Sequence, residues 1–390
     1  MKLAQRMSRL GTETAFVVLA RAKALEAQGK KVVHLEIGEP DFDTPANIRR
    51  AGIEAIEGGF THYGPAPGLP EFRKVIAERW KAERGIPCEW DNVVVTPGGK
   101  PIMFFAMLAL LDEGDECLYP NPGFPIYESV INYLNARAVP YQLKEANDFE
   151  LDLRELESKI THRTKMIIIN SPQNPTGGVL SPETIEAIAK LAVKHDIMVL
   201  ADEIYGRILY EGRHLSIASL PGMFERTIVL DGFSKTYAMT GWRLGFGIME
   251  KSLADQVARL QTNSNSCTAT FTQKAGIAAL TGPQTEVDAM VVEFRRRRDA
   301  IVAGLNAIPG ITCRNPKGAF YVFPNITKTG MKSAELQQLL LDEAGVACLA
   351  GTAFGEYGEG YLRFSYANSL ENIQWALSSL KDFLAARVKV

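Results

Sequence analysis

Short runs of apolar, often β-branched residues recur along the first two thirds of the chain and alternate with longer stretches of helical periodicity. The clearest runs lie at residues 93–95, 117–119, 166–169, 198–200 and 227–230. Between two of them, Ser181 and Pro182 are typical of the cap and first position of a helix over residues 182–195. Apolar strands separated by helices are typical of a parallel sheet that is covered on both sides. The pattern therefore predicts an α/β fold with a mainly parallel, doubly wound sheet between layers of helices.

The last third of the chain has a different order of elements. An amphipathic stretch over residues 283–308 is followed by a strand-like segment at 318–323, a helix at 333–344, a second strand-like segment at 360–365 and a final helix from Leu370. This mixed order predicts a smaller α+β domain. We place the large domain at residues 45–290, and we expect residues 1–44 to pack with residues 291–390 in the small domain.

The composition is that of an ordinary globular chain of 390 residues, with 46% hydrophobic and 23% charged residues. Its 43 basic and 45 acidic residues nearly balance. This balance argues against a nucleic-acid partner, because neutralising phosphates requires a basic surplus. The densest basic run, Arg295 to Arg298, lies in a helical pattern, and we interpret it as a solvent-exposed helix face with ion pairs.

The cysteines and the apolar runs bear on the compartment. The five cysteines include no C-x-x-C pair, which predicts neither a disulfide framework nor a zinc site and fits a reducing compartment. The first ten residues lack the apolar core of a signal peptide, and the longest apolar run, at 102–111, is too short to span a bilayer. We therefore expect a cytoplasmic protein without a membrane partner.

Motifs of several large enzyme classes are missing from the sequence. It contains no G-x-x-x-x-G-K-[ST], G-x-G-x-x-G, G-x-S-x-G or H-E-x-x-H pattern. This argues against a P-loop NTPase, a Rossmann dehydrogenase, an α/β-hydrolase and a zinc protease. The five histidines are scattered without the spacing of metal ligands, and we predict no metal site.

Chemically distinctive residues follow three of the predicted strands. Asn174 lies in the loop N-S-P-Q-N-P-T-G-G after residues 166–169, Asp202 follows residues 198–200, and Lys235 comes shortly after residues 227–230. The carboxyl ends of parallel strands meet at one edge of the sheet, where ligands bind in open α/β folds. We therefore expect these side chains to face a common site.

The residue types at these positions indicate one cofactor. A buried lysine with a lowered pKa forms Schiff bases, and an acid at the end of an apolar strand needs a cationic partner. Arg243 beside the Ser234 hydroxyl suits a phosphate, as does the glycine-rich segment Gly98-Gly99-Lys100 at a helix start. Each signal is weak alone, but together they are the parts of a pyridoxal 5′-phosphate site.

With these segments in this order, the chain resembles the class I aminotransferases of the fold-type-I pyridoxal-phosphate enzymes, especially the bacterial aspartate-aminotransferase-like group. The resemblance covers nearly the whole chain, from G-E-P-D-F at 38–42 and H-Y-G-P-A-P-G at 62–68 to Y-L-R-F-S-Y at 361–366. It implies ping-pong transfer of an amino group from an L-amino acid, aspartate by default, to a 2-oxo acid such as 2-oxoglutarate. It also implies a homodimer with active sites at the interface.

The resemblance assigns catalytic and ring-binding roles to the matching positions. Lys235 would bind the cofactor covalently and shuttle a proton. Asp202 would hold the pyridine nitrogen protonated, and Asn174 and Tyr205 would hydrogen-bond the phenolic oxygen of the ring. Phe124, in the segment N-P-G-F-P, would stack on the ring.

The resemblance also assigns the phosphate contacts. Ser234, Arg243 and the backbone amides of Gly99 and Lys100 would hold the phosphate group. Tyr63 would reach the same group from the partner subunit of the dimer.

On the substrate side, Arg363 would clamp the α-carboxylate with help from Asn174, and the Gly38 backbone would close over it. Two features depart from the aspartate enzymes. Gly232 stands where some members have a serine, and no residue matches the arginine that binds a distal carboxylate. Lys100 could take that role, as in some relatives, whereas residues 15–18 near the pocket are apolar. The sequence therefore leaves open whether the pocket for the substrate side chain is charged or apolar.

Other activities share parts of this pattern. A β-lyase uses the same cofactor residues, and aminotransferases for alanine, aromatic or branched amino acids have the same motifs. A regulatory module of this fold beside a DNA-binding domain is a further alternative, which the absence of a basic domain disfavours.

Overall fold

The computed structural model describes residues 1–387 of the chain. Its strands are β1 (Val33–His34), β2 (Val93–Thr96), β3 (Glu116–Asn121), β4 (Arg137–Gln142), β5 (Thr164–Asn170), β6 (Met198–Asp202), β7 (Thr227–Gly232), β8 (Gly245–Ile248), β9 (Tyr321–Val322), β10 (Val346–Ala347), β11 (Leu349–Ala350) and β12 (Leu362–Ser365). The main sheet has seven strands in the order β2-β8-β7-β6-β5-β3-β4. Only β8 runs antiparallel to its neighbours in this sheet. The predicted mainly parallel sheet is therefore confirmed.

The described residues contain thirteen α-helices, and several of them pack on the two faces of this sheet. The helices are α1 (Ala15–Glu26), α2 (Ala46–Glu57), α3 (Pro70–Arg84), α4 (Lys100–Leu110), α5 (Ile126–Tyr133), α6 (Leu153–Lys159), α7 (Pro182–His195), α8 (Phe233–Thr236), α9 (Lys251–Asn265), α10 (Thr270–Thr281), α11 (Thr285–Asn306), α12 (Ser333–Ala344) and α13 (Leu370–Arg387). Short 3₁₀ helices lie at Gln5–Arg9, Trp90–Asn92, Glu145–Asn147, Ile217–Ser219, Phe224–Arg226, Thr327–Thr329, Gly351–Phe354 and Glu356–Gly358. Along β5, Ile167 and Ile169 pack in one core with α7, whereas Met166 and Ile168 pack in another with α4 and α5. This burial on both faces explains the unbroken apolar runs.

Most predicted elements lie where the pattern places them. Helix α7 covers residues 182–195, and Ser181 Oγ accepts a hydrogen bond from the Thr184 amide at 3.2 Å, as a helix cap does. Two strands of the main sheet have no apolar run that predicts them. Strand β4 contains Pro140, which its position at the edge of the sheet permits, and β8 contains two glycines in the segment G-F-G-I.

The basic run in α11 corrects the sequence interpretation. Arg295 and Arg296 are exposed, as expected, but Arg297 and Arg298 are buried. Arg297 Nη1 donates to Asp41 Oδ1 at 2.6 Å, and Arg298 Nη1 donates to a backbone carbonyl at 3.2 Å. The interpretation as a solvent-exposed face is therefore wrong for these two arginines, which join α11 to the segments packed against it.

Two small sheets lie outside the main sheet. One is antiparallel, in the order β11-β12-β9, and the other pairs β1 with β10 in parallel, with Val33 opposite Val346. Helix α1 packs Val18 and Ala22 in a core that also contains main-sheet residues. The domain boundaries near residues 45 and 290 stay a prediction. Within residues 1–387, no helix has both the length and the apolar character that a membrane span needs.

Candidate active site

A cavity of ≈ 430 Å³ lies at the carboxyl ends of β5, β6 and β7, next to the start of α4. Its volume is in the range of small-molecule sites. Most sequence-predicted site residues line it, namely Gly38, Gly99, Lys100, Phe124, Asn174, Asp202, Tyr205, Ser234, Lys235, Arg243 and Arg363. Tyr63 does not, and its side chain is 89% exposed. The fold thus gathers residues that are more than three hundred positions apart, as the strand-end argument predicts.

Asp202 ends β6 and lines the cavity as a buried carboxylate. It accepts hydrogen bonds from the Tyr127 hydroxyl at 2.6 Å and from the Ile204 amide at 3.2 Å. Burial raises the pKa of Asp202 to about 6, although both hydrogen bonds act to lower it. The groups that donate to it are neutral, so this carboxylate is suited to a cationic group on a ligand.

Lys235 lies in α8, the short helix that follows β7. Its Nζ donates a hydrogen bond to the carbonyl oxygen of Gly38, in the segment that follows β1. Burial lowers the pKa of Lys235 to about 8. Because the neutral amine is the nucleophilic form, more of this lysine is reactive at neutral pH than of an exposed one.

Arg363, in β12, is buried beside Asn174. Its Nη1 donates to Asn174 Oδ1 at 3.2 Å, its Nη2 donates to the Glu36 carbonyl oxygen, and its Nε has no hydrogen-bond partner among the described residues. The guanidinium lies 4.6 Å from the ring centroid of Tyr321 and 4.9 Å from that of Phe354. The rings hold the guanidinium plane in place, and the free N–H is suited to a carboxylate.

The start of α4 and Arg243 form the anion-binding part of the cavity. Gly98 has a φ of 86°, a conformation that favours glycine, and it lies against the Arg243 guanidinium. Gly99 caps α4 and Lys100 is its first residue, and the first amides of a helix have no partners within it. Ser234 lines the same cavity. Unpaired amides, an arginine and a hydroxyl together suit a phosphate group.

Aromatic side chains form another part of the lining. The Phe124 ring packs edge-on against Tyr127, with ring centroids 5.6 Å apart, and Lys100 Nζ lies 5.6 Å from the Phe124 centroid. The Tyr205 and Tyr321 hydroxyls share a hydrogen bond of 2.7 Å. Burial raises the pKa of Tyr205 well above its ordinary value, so it is a neutral donor.

Packing explains why glycine occupies position 232, where some relatives have serine. A Cβ at this position would lie 3.1 Å from the Gly245 Cα and 3.1 Å from the Leu244 carbonyl oxygen. Both atoms are backbone and belong to the neighbouring segment at β8, so they move little. The close approach of β7 and β8 therefore favours glycine over serine here.

Glu13, Tyr127 and Tyr321 are among the lining residues that the motifs do not identify. Tyr127 lies three positions after Phe124, and Tyr321 lies in the strand-like segment 318–323, so alternation and spacing give a weak signal for both. Glu13 has no such signal. Its carboxylate forms a salt bridge with Lys100, which depends on how the segment before α1 packs over the cavity.

A second group of buried charges lies outside the cavity lining. We define Arg84, Glu203, His214, Ser216 and Asp231 as the Arg84 cluster. Arg84 Nη2 lies 2.8 Å from Asp231 Oδ2, and Arg84 Nη1 donates to Glu203. His214 Nε2 lies 2.9 Å from Glu203 Oε2, and Ser216 Oγ donates to Glu203 Oε1 at 2.6 Å. Burial acts to raise the pKa of Glu203, but His214 and Arg84 together lower it to about 2.

Comparison with known proteins gives consistent matches. The profile of the family described as aminotransferase class I and II matches residues 30–380. An aspartate aminotransferase of Pyrococcus abyssi is 43% identical over 359 residues, covering 91% of this chain and 92% of that protein. Aromatic-amino-acid aminotransferase 2 of Thermococcus litoralis is 41% identical over 363 residues, covering 92% and 93%. The solved structure of an aspartate aminotransferase from Thermus thermophilus with maleate has a TM-score of 0.94 and 36% identity, covering 98% and 99%.

Proposed function

The chain belongs to the class I and II aminotransferase family, and from this premise we propose that its cavity binds pyridoxal 5′-phosphate and moves the amino group of an L-amino acid to a 2-oxo acid. One observation carries the proposal. The partly buried Lys235 amine, the buried Asp202 carboxylate and the buried Arg363 guanidinium line the same cavity. Lys235 matches the aldehyde of the cofactor, Asp202 matches its ring nitrogen, and Arg363 matches the carboxylate of the substrate.

The residues fit this cofactor at both ends. Asp202 is a buried carboxylate, and the two groups that donate hydrogen bonds to it are neutral. Its negative charge is therefore free to pair with a protonated ring nitrogen. At the other end, Gly98 leaves room for the Arg243 guanidinium beside the unpaired amides of α4. Between the two ends, Phe124 offers an aromatic face and Tyr205 a neutral hydroxyl.

When bound, pyridoxal phosphate supplies an electron-accepting ring that stabilises negative charge at the substrate α-carbon. Lys235 Nζ holds the cofactor and then moves the proton. With a pKa near 8, the neutral amine accepts a proton from the α-carbon and can release it again near neutral pH. Asp202 holds a proton on the ring nitrogen by supplying the negative charge beside it.

Arg363 and Asn174 orient the substrate. A bidentate guanidinium fixes the α-carboxylate, and the Asn174 contact fixes the guanidinium. The Gly38 segment lies close over this region, since a Cβ at Gly38 would lie 2.0 Å from the Tyr321 hydroxyl oxygen. We propose aspartate as the default donor and 2-oxoglutarate as the acceptor, because Lys100 offers a second cation in the same cavity.

We also propose that two copies of the chain form a dimer in which Tyr63 reaches the phosphate of the other copy. The exposure of Tyr63 supports this, as do Ile53, Ile56 and Phe60, which are apolar and 56%, 50% and 40% exposed. Sedimentation should give a dimer, and full activity in a monomer would contradict this arrangement. The cytoplasmic location stays a prediction from the sequence.

Steady-state kinetics with aspartate, phenylalanine or alanine as donor and 2-oxoglutarate as acceptor tests the activity. We expect parallel double-reciprocal lines, the mark of a ping-pong reaction, and glutamate formed in step with the new oxo acid. L-Cystathionine, which carries a β-leaving group, serves as a further donor; release of ammonia and pyruvate from it without any acceptor, with no glutamate formed from the three donors above, would indicate elimination and contradict the proposal.

A further inference from the structure

A salt bridge at the edge of the cavity has no role in the proposed reaction. Glu13 Oε1 pairs with Lys100 Nζ. The Glu13 side chain is 19% exposed and that of Lys100 is 50% exposed, so the lysine stays reachable from solvent while the carboxylate is largely covered. Ala15 and Phe16, at the start of α1, also line the cavity. The segment before α1 therefore places a negative charge inside a site that binds anions.

Glu13 lies close enough to the anion-binding groups to affect them. Its charge acts to raise the pKa of both Lys235 and Arg363. A substrate with two carboxylates needs two cations, and Arg363 supplies the first. Lys100 is the cation at the Glu13 end of the cavity. The Glu13 carboxylate therefore occupies the contact with Lys100 that a second substrate carboxylate would need.

The surroundings of this pair suit side chains without charge. Phe16, Ile37, Met103 and Phe124 line the cavity together with the pair. While Glu13 neutralises Lys100, an apolar or aromatic side chain meets no unpaired charge there, and burying it is favourable. In a ping-pong reaction a donor and an acceptor with different side chains use the same cavity in turn.

We propose that Glu13 is a specificity-determining residue, whose carboxylate competes with the distal carboxylate of acidic substrates for Lys100 and keeps the cavity open to neutral and aromatic side chains. The inference rests on the proposed function, since it assumes that Arg363 holds the α-carboxylate. An acidic substrate takes over Lys100 from Glu13, whereas a neutral substrate leaves the salt bridge intact.

Ligand binding tests this without turnover. The probes are maleate, with two carboxylates, and 3-phenylpropionate, with one carboxylate and an aromatic ring; neither carries an amine to transfer. Dissociation constants are measured by calorimetry on the cofactor-loaded dimer at pH 7.5 and constant ionic strength. For Glu13→Gln we expect maleate to bind roughly tenfold more tightly, while 3-phenylpropionate changes by less than about twofold.

Two comparisons separate the contact with Lys100 from a general effect of charge. Glu39→Gln removes a negative charge from another residue of the lining, one that bonds to Thr240 rather than to Lys100, and should leave the ratio of the two constants within about twofold. In a Lys100→Met background, Glu13→Gln should no longer favour maleate, because the cation for which they compete is gone.

The outcomes are distinguishable. An unchanged ratio in Glu13→Gln, or the same gain in Glu39→Gln, would overturn the inference while leaving the proposed function intact. Failure of wild-type protein to take up pyridoxal phosphate, which is measured by absorbance before any probe is added, would overturn both.

Discussion

Two neighbouring carboxylates at the end of β6 have opposite electrostatic surroundings. Asp202 lines the cavity, receives hydrogen bonds from neutral donors and has a pKa raised to about 6. Glu203, the next residue, lies in the Arg84 cluster, where His214 and Arg84 lower its pKa to about 2. Both side chains are buried, so burial alone does not separate them: Glu203 contacts Arg84 and His214 directly, whereas the direct hydrogen-bond donors to Asp202 are neutral.

The neighbouring strand also supplies one group to each location, although burial raises the pKa of Asp231 to about 6 in spite of its contact with Arg84. Asp231, in β7, contacts Arg84 away from the cavity, whereas Lys235, just beyond the strand, lines it. Asp202 and Glu203 are consecutive at the end of β6, and successive side chains of a strand point to opposite sides, so one strand end can supply both a reactive and a structural group. In the candidate site, the hydrogen-bond partners of Asp202, Lys235 and Arg363 are neutral, so a ligand can supply the counter-ion of each.

Substitution of Lys235 should have the largest effect on catalysis. Lys235→Ala removes both the covalent attachment of the cofactor and the proton carrier, so kcat for amino transfer should fall at least about a thousandfold. The free energy of unfolding should change by less than about 1 kcal/mol, since burial already disfavours the charged amine. Steady-state assays and urea unfolding measure the two quantities. Substantial transamination by this variant would refute the assignment of the base.

Asp202→Asn should have the next largest effect. Asparagine keeps the shape but loses the charge beside the ring nitrogen, so kcat should fall by about 10²- to 10³-fold. Affinity for the cofactor, measured by fluorescence titration, should fall by less than about tenfold, because the phosphate contacts remain. An unchanged kcat would remove Asp202 from the reaction and abolish the contrast with Glu203.

Glu203→Gln is the substitution at the next residue that matches Asp202→Asn. It leaves Arg84 buried without its closest carboxylate, and the free energy of unfolding should fall by about 3 kcal/mol. Cofactor uptake and kcat should change far less than in Asp202→Asn, because Glu203 does not line the cavity. If instead Glu203→Gln kept full stability and lost activity, the division between a structural and a reactive group would be wrong.

The smallest effect concerns pH. The neutral amine of Lys235 attacks the cofactor, and its pKa is lowered to about 8. The rate constant for uptake of pyridoxal phosphate by the cofactor-free protein should therefore rise about tenfold from pH 6 to 7 and level off above about 8. Stopped-flow absorbance measures this rate. A rise that continues to pH 10 would show an ordinary lysine pKa.

Much of the fold and of the site could be predicted because apolar strands, the helices between them and the residues after the strand ends leave local signals. Asn174, Asp202 and Lys235 follow apolar runs, and parallel pairing brings those ends together. The buried arginines of α11 also had a signal, since Phe294 lies four positions before Arg298 on the same helix face. The helical spacing of the four arginines, and not their being a block of charge, determines which of them are buried.

The rest depends on contacts that no local pattern encodes. The salt bridge between Glu13 and Lys100 joins positions 87 residues apart, and the hydrogen bond from Tyr127 to Asp202 joins positions 75 apart. Strand β8 is stabilised by its two neighbours in the sheet rather than by its own glycine-rich sequence. The phosphate contact of Tyr63 requires a second copy of the chain and stays a prediction.

The central claim is that Lys235 and Asp202 face one cofactor from adjacent strand ends, and an absorbance titration tests it most directly. Purified protein is loaded with pyridoxal phosphate, its spectrum is recorded, and L-aspartate is added without any oxo acid. We predict that the absorption band of the lysine-bound cofactor disappears as one equivalent of oxaloacetate forms per site, and that Lys235→Ala does not show that band before aspartate is added. Wild-type protein without the band, or Lys235→Ala with it, would contradict the account.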